Sequence, residues 1–174
     1  TYKRLIIMKK IGLCVCQETR NYGSQLQVLA TEVAIQKLGY EYEIIRYRKK
    51  YDLRFVIKSV PRLFDPLLMK GKISVYVLNR KIKKYPEIYE KCKERNKIFD
   101  EFAERYFTKL SPIFYGYDAL KDGAKNYETF LVGSDQLWLP SGLATGFYNL
   151  QFVPDEKRKI AYATSFGVSK IPTY

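Results

Sequence analysis

Short apolar runs alternate along the chain with segments of helical periodicity. Four runs rich in β-branched and other apolar residues predict buried strands, at residues 9–16, 42–47, 127–132 and 159–166. Short runs of this kind, with little polar alternation, are typical of parallel strands that are covered on both faces. The pattern therefore predicts a sheet whose strands are joined by helices.

The segment between the first two runs predicts an amphipathic helix. Apolar residues recur there at helical spacing, at Leu26, Leu29, Ala30, Val33 and Ala34. Such a stripe is expected to face the core, and Gly39 is placed to end the helix. A strand, a helix and a second strand make a βαβ unit, whose crossover is right-handed in nearly all proteins.

The middle of the chain, residues 48–110, has helical spacing rather than alternation. The spacing is clearest over residues 87–106, and Pro112 breaks the run. A short helix is predicted at residues 117–121. These elements together predict an α/β fold with a doubly wound, mostly parallel, Rossmann-like sheet.

Composition narrows the classes of function. The chain has 174 residues and a formal net charge of +13, with no His and three Cys. This length fits one domain, and the absence of His excludes His-based triads and most catalytic zinc sites. Three Cys are too few for the disulfide framework of a small secreted domain. Neither a signal peptide nor a membrane span is recognisable, so we expect a soluble or peripheral protein of the cytoplasm.

The positive charge is regional. Residues 46–97 hold 17 Lys and Arg against 5 Asp and Glu, and aromatic residues are interleaved with them. Such a segment can be a solvated helical face, a surface for anionic membrane or a surface for nucleic acid. We favour the solvated helical face over a membrane-binding surface. No RNA-recognition signature supports a surface that binds nucleic acid.

Candidate chemistry lies in the loops that follow the first, third and fourth predicted strands, because open α/β sheets bind ligands at the carboxyl ends of their strands. The candidate ligand-binding residues are Asn21, Tyr22, Gly23 and Gln25 in the first loop, Gly133, Ser134, Gln136 and Trp138 in the second, and Ser165, Phe166 and Gly167 in the third. Neither of the glycine-rich phosphate-binding patterns occurs.

Asp135 is the best candidate for a catalytic base, since a carboxylate in a half-buried cleft can take a proton from a hydroxyl. Polar groups beside the indole of Trp138 suit a carbohydrate. Structural alternatives stay open: Asn21, Ser24, Ser134 or Asp135 could be a helix N-cap, and Trp138 could simply be buried. Cys14 and Cys16 cannot complete a metal site without further ligands, so we expect them to pack in the core and expect no metal.

Three segments in order, NYGSQLQ at 21–27, GSDQLW at 133–138 and AYATSFG at 161–167, resemble the polysaccharide pyruvyl transferase family. The resemblance covers residues 8–174 and implies the Rossmann-like, acceptor-side lobe of a glycosyltransferase-B-like fold, with residues 48–110 a basic helical insertion. It also implies a reaction in which the pyruvyl group of phosphoenolpyruvate forms a ketal across two sugar hydroxyls. Phosphoenolpyruvate is then a donor substrate, and no cofactor is expected.

Two departures from the family pattern stand out. Leu139 occupies a position where many relatives have Asn, and the chain has about half the length expected of the family. The donor-binding groups are therefore expected in a second lobe that this chain lacks, so we expect this part alone to bind acceptor weakly and to be inactive.

The acceptor implied by the resemblance is a sugar of a bacterial capsule or exopolysaccharide. Such acceptors are often linked to lipid at the inner face of the cell membrane, where residues 46–97 would have a role. Two alternatives remain, namely the lobe of a sugar-nucleotide glycosyltransferase and a non-enzymatic basic module that binds anionic membrane or nucleic acid.

Overall fold

The computed structural model describes residues 10–50, 66–140 and 145–169. The chain divides into two compact units: a helical unit, residues 50–104, and a sheet unit that comprises the rest. Predictions that fall on residues 1–9, 51–65, 141–144 and 170–174 lie outside the described residues, including residue 9 of the first predicted strand and the corresponding part of the basic segment.

The described residues of the sheet unit form one parallel sheet with helices between its strands. The strands are β1 (Ile11–Cys14), β2 (Tyr42–Arg48), β3 (Leu110–Tyr115), β4 (Thr129–Asp135) and β5 (Arg158–Thr164). Helix α1 (Tyr22–Lys37) joins β1 to β2. The strand order is β3-β2-β1-β4-β5, and every pairing is parallel. This order matches the first five strands of the doubly wound Rossmann arrangement, so the α/β prediction is confirmed.

Between β2 and β3 the described residues, from 66 onward, form two longer helices, α2 (Pro66–Lys84) and α3 (Pro86–Tyr106). A short helix, α4 (Tyr117–Ala124), then connects β3 to β4. The helices predicted at 87–106 and 117–121 are thus confirmed. The boundaries 48–110, the description of that segment as an insertion and the glycosyltransferase-B-like arrangement stay predictions.

Strand β3 was not predicted, because its sequence carries Pro112 and no run of β-branched residues. Proline lacks the N–H that a central strand must donate, but β3 is one of the two edge strands of the described sheet and Pro112 is exposed there. The buried Ser111 hydroxyl instead accepts a hydrogen bond from the Arg46 N–H at 2.9 Å, where the register between β2 and β3 shifts.

The face of α1 that packs on the sheet differs from the predicted one. Leu26 and Val33 of the predicted stripe are 57% and 39% exposed. The prediction that this stripe faces the core is therefore wrong. The buried residues are Ser24, Gln25, Val28, Glu32 and Ile35. Because the buried face carries polar side chains, the hydrophobic pattern did not identify it. Two of these side chains, Ser24 and Glu32, have hydrogen-bond partners in the sheet.

The core of the sheet unit is aromatic. Phe130 of β4 lies with its ring centroid 5.4 Å from that of Phe152 and 5.6 Å from that of Tyr127, in edge-on arrangements. Such arrangements are favourable beyond the area they bury. Cys14 is fully buried in this cluster, and burial raises the pKa of its thiol, so the prediction that it packs in the core is confirmed.

Two polar clusters lie at the amino ends of the strands. Glu43 binds Lys10 and accepts a hydrogen bond from the Tyr127 hydroxyl at 2.6 Å. Burial opposes the charge on Glu43, but these two partners outweigh it and lower its pKa. Glu32, only 3% exposed, has one carboxyl oxygen with no hydrogen-bond partner. Burial raises its pKa to about 7, against the smaller opposing effects of a hydrogen bond with Tyr42 and the charge of Lys109.

The helical unit displays cations and apolar side chains. Helix α2 has six Lys and Arg and no acidic residue. Large apolar side chains on it are exposed, among them Ile73, Val75, Tyr76 and Leu78. On α3, pairs such as Glu87 with Lys91, at 2.8 Å, balance part of the charge at helical spacing. Within the parts of the chain that the structure describes, no helix is both long and apolar enough to cross a membrane.

Candidate functional site

The order of the strands creates a crevice between β1 and β4. From β1 the chain passes through α1 to β2 on one side, whereas β4 pairs with β1 on the other. Loops at the carboxyl ends of two such strands diverge, and ligands of open α/β sheets bind in the gap. The start of α1 and the end of β4 flank this gap, and they carry two of the three predicted sequence segments.

Asn21 is the N-cap of α1. Its side-chain oxygen accepts a hydrogen bond from the Ser24 N–H at 3.1 Å. The capping alternative is therefore confirmed for Asn21, which remains exposed beside Tyr22 and Gly23. Because Asn21 satisfies the helix terminus, the Ser24 side chain is available for another partner.

The partner of Ser24 is Asp135. The Ser24 hydroxyl donates to Asp135 Oδ2 at 2.8 Å, between residues 111 positions apart in the chain. This hydrogen bond joins the first turn of α1 to the end of β4 across the crevice. It places the predicted base beside the first predicted loop.

The Asp135 carboxylate is half-buried and held on two sides. Its Oδ1 atom accepts the Gln136 N–H at 2.7 Å, while Ser24 binds Oδ2. The backbone at Asp135 has φ +86°, a conformation that non-glycine residues seldom adopt and that is concentrated at functional sites. Asp135 and Ser134 lie within β4 and lead into a turn, so neither is the N-cap considered above.

The third predicted loop reaches the same place. The Ser165 N–H donates to the Asp135 carbonyl oxygen at 3.0 Å, and the Trp138 N–H donates to the Ser165 carbonyl oxygen at 3.1 Å. The rings of Trp138 and Phe166 lie 5.5 Å apart. All three segments named from the sequence thus converge at the carboxyl ends of β1, β4 and β5.

Two predicted glycines are explained by close packing of the chain on itself. A Cβ atom at Gly133 would lie 2.1 Å from the Tyr162 carbonyl oxygen of β5, so no other residue fits. A Cβ atom at Gly167, where φ is +63°, would lie 2.7 Å from the side chain of Gln136. Gly167 therefore allows close approach by Gln136, and its contact with a ligand stays a prediction.

Trp138 is partly buried, and its contact with a carbohydrate stays a prediction. It is half-buried and packs against the core, and its indole N–H donates to the Tyr148 carbonyl oxygen at 3.0 Å. The indole is thus fixed in orientation, and part of its surface stays accessible. Gln25 is only 4% exposed on the inner face of α1, away from solvent, whereas Tyr22 is 63% exposed.

A neighbouring cavity was missed by the sequence analysis. It has a volume of about 320 Å³ and lies at the carboxyl ends of β1 and β2. Its walls are residues 15–19, then Ile45, Tyr47 and Lys49, and then Thr145, Phe147 and Tyr148. Tyr47 was predicted only as the last residue of the second strand and as part of the basic segment, and Tyr148 lies outside every motif. A cluster of aromatic residues at 147–148 was the available signal.

Among the described residues, no three His, Cys, Asp or Glu side chains are grouped as metal ligands. Near the cavity, Glu18 forms an ion pair with Arg48 at 2.7 Å. The described arrangement thus offers hydroxyl, amide, carboxylate and aromatic groups, which together suit a polyhydroxylated ligand.

Comparison with protein families agrees with the three segments. Curated proteins and solved structures give no match to this chain. The family model for polysaccharide pyruvyl transferase matches residues 21–174, which include every predicted site residue. The chain belongs to the polysaccharide pyruvyl transferase family.

Proposed function

We propose that this chain forms the acceptor-binding part of an enzyme that transfers the pyruvyl group of phosphoenolpyruvate onto two hydroxyls of a sugar. The observation that carries the proposal is the hydrogen bond from Ser24 to Asp135 at 2.8 Å. It puts a carboxylate, fixed in position, at the crevice where an open α/β sheet binds its ligand. Membership of the family supports a transferase that acts on polysaccharide.

The reaction needs a base for the sugar. Two hydroxyl oxygens bond to C2 of the enolpyruvyl group, the C2–O bond to phosphate breaks, and C3 gains a proton to become a methyl group. Of the two hydroxyl protons, one balances the proton gained by C3 and the other leaves with phosphate. Asp135 accepts a proton from a sugar hydroxyl, while Ser24 and the Gln136 N–H hold the carboxylate in place.

The donor side of the reaction is assigned elsewhere. Departure of phosphate needs cations close to the leaving group. In the described loops around Asp135, the cationic residue nearest in sequence to the start of α1 is Arg20. One cation is fewer than a departing phosphate group needs. We therefore place the phosphoenolpyruvate site in a second lobe of a glycosyltransferase-B-like arrangement, facing the crevice.

Substitution of Asp135 tests this function. The assay uses the protein that carries this chain, with phosphoenolpyruvate as donor and glycans extracted from the cells in which the protein occurs as acceptors. It measures the release of phosphate and the formation of ketal. We expect Asp135→Asn to lower kcat about 10²- to 10⁴-fold, the usual effect of losing a general base. We expect Ser24→Ala to lower it about 10-fold, since one hydrogen bond to a charged group is lost.

Glu156→Gln is the matched control, because Glu156 is exposed at the amino end of β5, opposite the crevice. It should leave the rate unchanged. An Asp135→Asn protein with the rate of the control would refute the proposed base. Transfer from a nucleotide sugar in place of phosphoenolpyruvate would identify a sugar-nucleotide glycosyltransferase, and ketal formation by the 174-residue chain alone would refute a donor site elsewhere.

We also propose that the acceptor is lipid-linked and that the protein meets it at the inner, anionic face of the cell membrane. Support comes from α2, which combines six cations with exposed apolar side chains. Basic residues near such a surface contribute about 1 kcal/mol each. Flotation should recover more protein with anionic than with neutral liposomes, and Lys81→Glu should reduce this difference more than Lys37→Glu on α1. Equal recovery with both liposomes would refute the proposal.

A further inference from the structure

The cavity beside the crevice has the chemistry of a sugar subsite. At about 320 Å³ it lies at the small end of the range for ligand sites, about 300–1,000 Å³, and thus suits a single ring rather than a large cofactor. The half-buried rings of Tyr47 and Tyr148 supply aromatic faces to its wall, and the Tyr47 ring stacks on that of buried Phe147 with centroids 5.4 Å apart. Such faces contact the C–H surfaces of a sugar ring.

Polar groups of the cavity are suited to an uncharged ligand. Thr19 and Cys16 lie with Oγ1 and Sγ 2.7 Å apart, and the Tyr148 hydroxyl hydrogen-bonds to Cys16. The charged residues of the wall are one acid, Glu18, and one base, Lys49. Glu18 is already paired with Arg48 at 2.7 Å, and the remaining polar side chains of the wall, among them Gln17 and Thr19, are groups that hydrogen-bond to sugar hydroxyls.

Two connections join the cavity to the crevice. The chain from Cys16 to Ser24 runs from the cavity wall to Asp135, and within it the Asn21 N–H donates to the Thr19 carbonyl oxygen at 2.8 Å. Tyr148 lines the cavity with its side chain, and its carbonyl oxygen holds the indole of Trp138. A ligand bound at the crevice therefore has the cavity as its neighbour along the sheet edge.

We propose that this cavity binds a second sugar of the acceptor, adjacent in the glycan to the sugar that receives the pyruvyl group. The inference rests on the proposed function, in which the sugar that receives the pyruvyl group belongs to a polysaccharide. Asp135 acts on one sugar at the end of β4, while Tyr47 and Tyr148 contact the next. The cavity thus contributes affinity for disaccharides over monosaccharides.

Cys16 allows a direct test. Cys14 is fully buried, so of the three Cys of this chain the half-buried Cys16 is the one open to iodoacetamide in a Cys92→Ser protein. Carbamidomethylation of Cys16 then places extra atoms in the cavity without touching Ser24 or Asp135. Binding of cellobiose, lactose and N,N′-diacetylchitobiose, and of the corresponding methyl monosaccharides, is measured by NMR before and after modification.

We expect at least one disaccharide to bind more tightly than its monosaccharide and to lose about 10-fold in affinity after modification, with monosaccharide binding unchanged. The same disaccharide should slow alkylation of Cys16. A Tyr47→Ala protein provides a second variant, in which the preference for disaccharide should also fall.

Absence of binding by the whole panel, or equal affinities before and after modification, would overturn the subsite. These results are distinguishable from failure of the proposed function. If Asp135→Asn lowers transfer while modification of Cys16 changes nothing, the cavity is not a subsite but Asp135 remains the base. If Asp135→Asn has no effect on transfer, the proposed function fails as well.

Discussion

Replacing Glu32 by glutamine should change how the stability of the protein depends on pH. The Glu32 carboxyl is buried, one of its oxygens has no partner, and its pKa rises from 4.5 to about 7 in the folded chain. A raised carboxyl pKa means that the fold favours the protonated form. The favourable contribution is full below pH 4.5, declines as pH rises through about 7, and is absent above that.

The magnitude follows from the displacement of the pKa. Each pKa unit corresponds to about 1.4 kcal/mol, so a rise from 4.5 to about 7 makes ionisation of Glu32 in the folded state cost about 3 kcal/mol. Glu32→Gln removes the ionisation. Its amide leaves a buried donor without a partner, at a cost of about 1 kcal/mol that does not vary with pH. The variant should therefore be slightly less stable than the natural protein in acid and about 2 kcal/mol more stable in alkali.

Urea unfolding followed by circular dichroism, at about pH 4 and about pH 9, measures both free energies. The difference between variant and natural protein should change by about 3 kcal/mol between the two conditions. Glu156→Gln, at an exposed carboxylate, should show no such change. A difference for Glu32→Gln that is the same at both pH values would refute the reasoning.

Two further substitutions test contacts at the two ends of the sheet. Tyr127→Phe removes the donor to Glu43 Oε2 and should lower the free energy of unfolding by about 1–3 kcal/mol at neutral pH. Because the pKa of Glu43 is lowered, this loss should shrink as acid protonates Glu43, and a loss that is equal in acid would contradict it. Gly133→Ala forces Cβ to within 2.1 Å of the Tyr162 carbonyl oxygen and should cost more than about 3 kcal/mol by urea unfolding. Gly39→Ala, also at positive φ but in open space, is the control and should cost about 1 kcal/mol; equal losses would contradict the clash.

The fold was predictable where apolar runs are short and uninterrupted. Strands β1, β2 and β4 follow from such patterns, because their burial matches their hydrophobicity. Strand β5 lies where it was predicted, but the prediction that it is buried is wrong, because it is an outer strand of the sheet and none of its residues is buried. Helices α3 and α4 were also predicted. Strand β3 escaped prediction because Pro112 is tolerated only by its position at the sheet edge. An edge position is a property of the assembled sheet and cannot be predicted from the local sequence.

The residues of the site were predictable as a set, but their individual partners were not. Strand ends and the three family segments indicate which loops meet, yet only coordinates show that Asn21 caps α1 while Ser24 binds Asp135. The wrong buried face was predicted for α1 for the same reason. Glu32 and Ser24 are buried because β2 and β4 offer them partners, and a pattern within one helix contains no information about those strands.

The hydrogen bond between Ser24 and Asp135 also bears on the order of folding. Its two residues are 111 positions apart, so it forms only after β1 and β4 have paired and the long intervening chain has been closed. Long-range contacts of this kind form slowly and depend on the whole sheet. The proposed glycan binding at Asp135 should therefore recover in step with native β4 pairing during refolding, and it would report the native population more directly than helix content does.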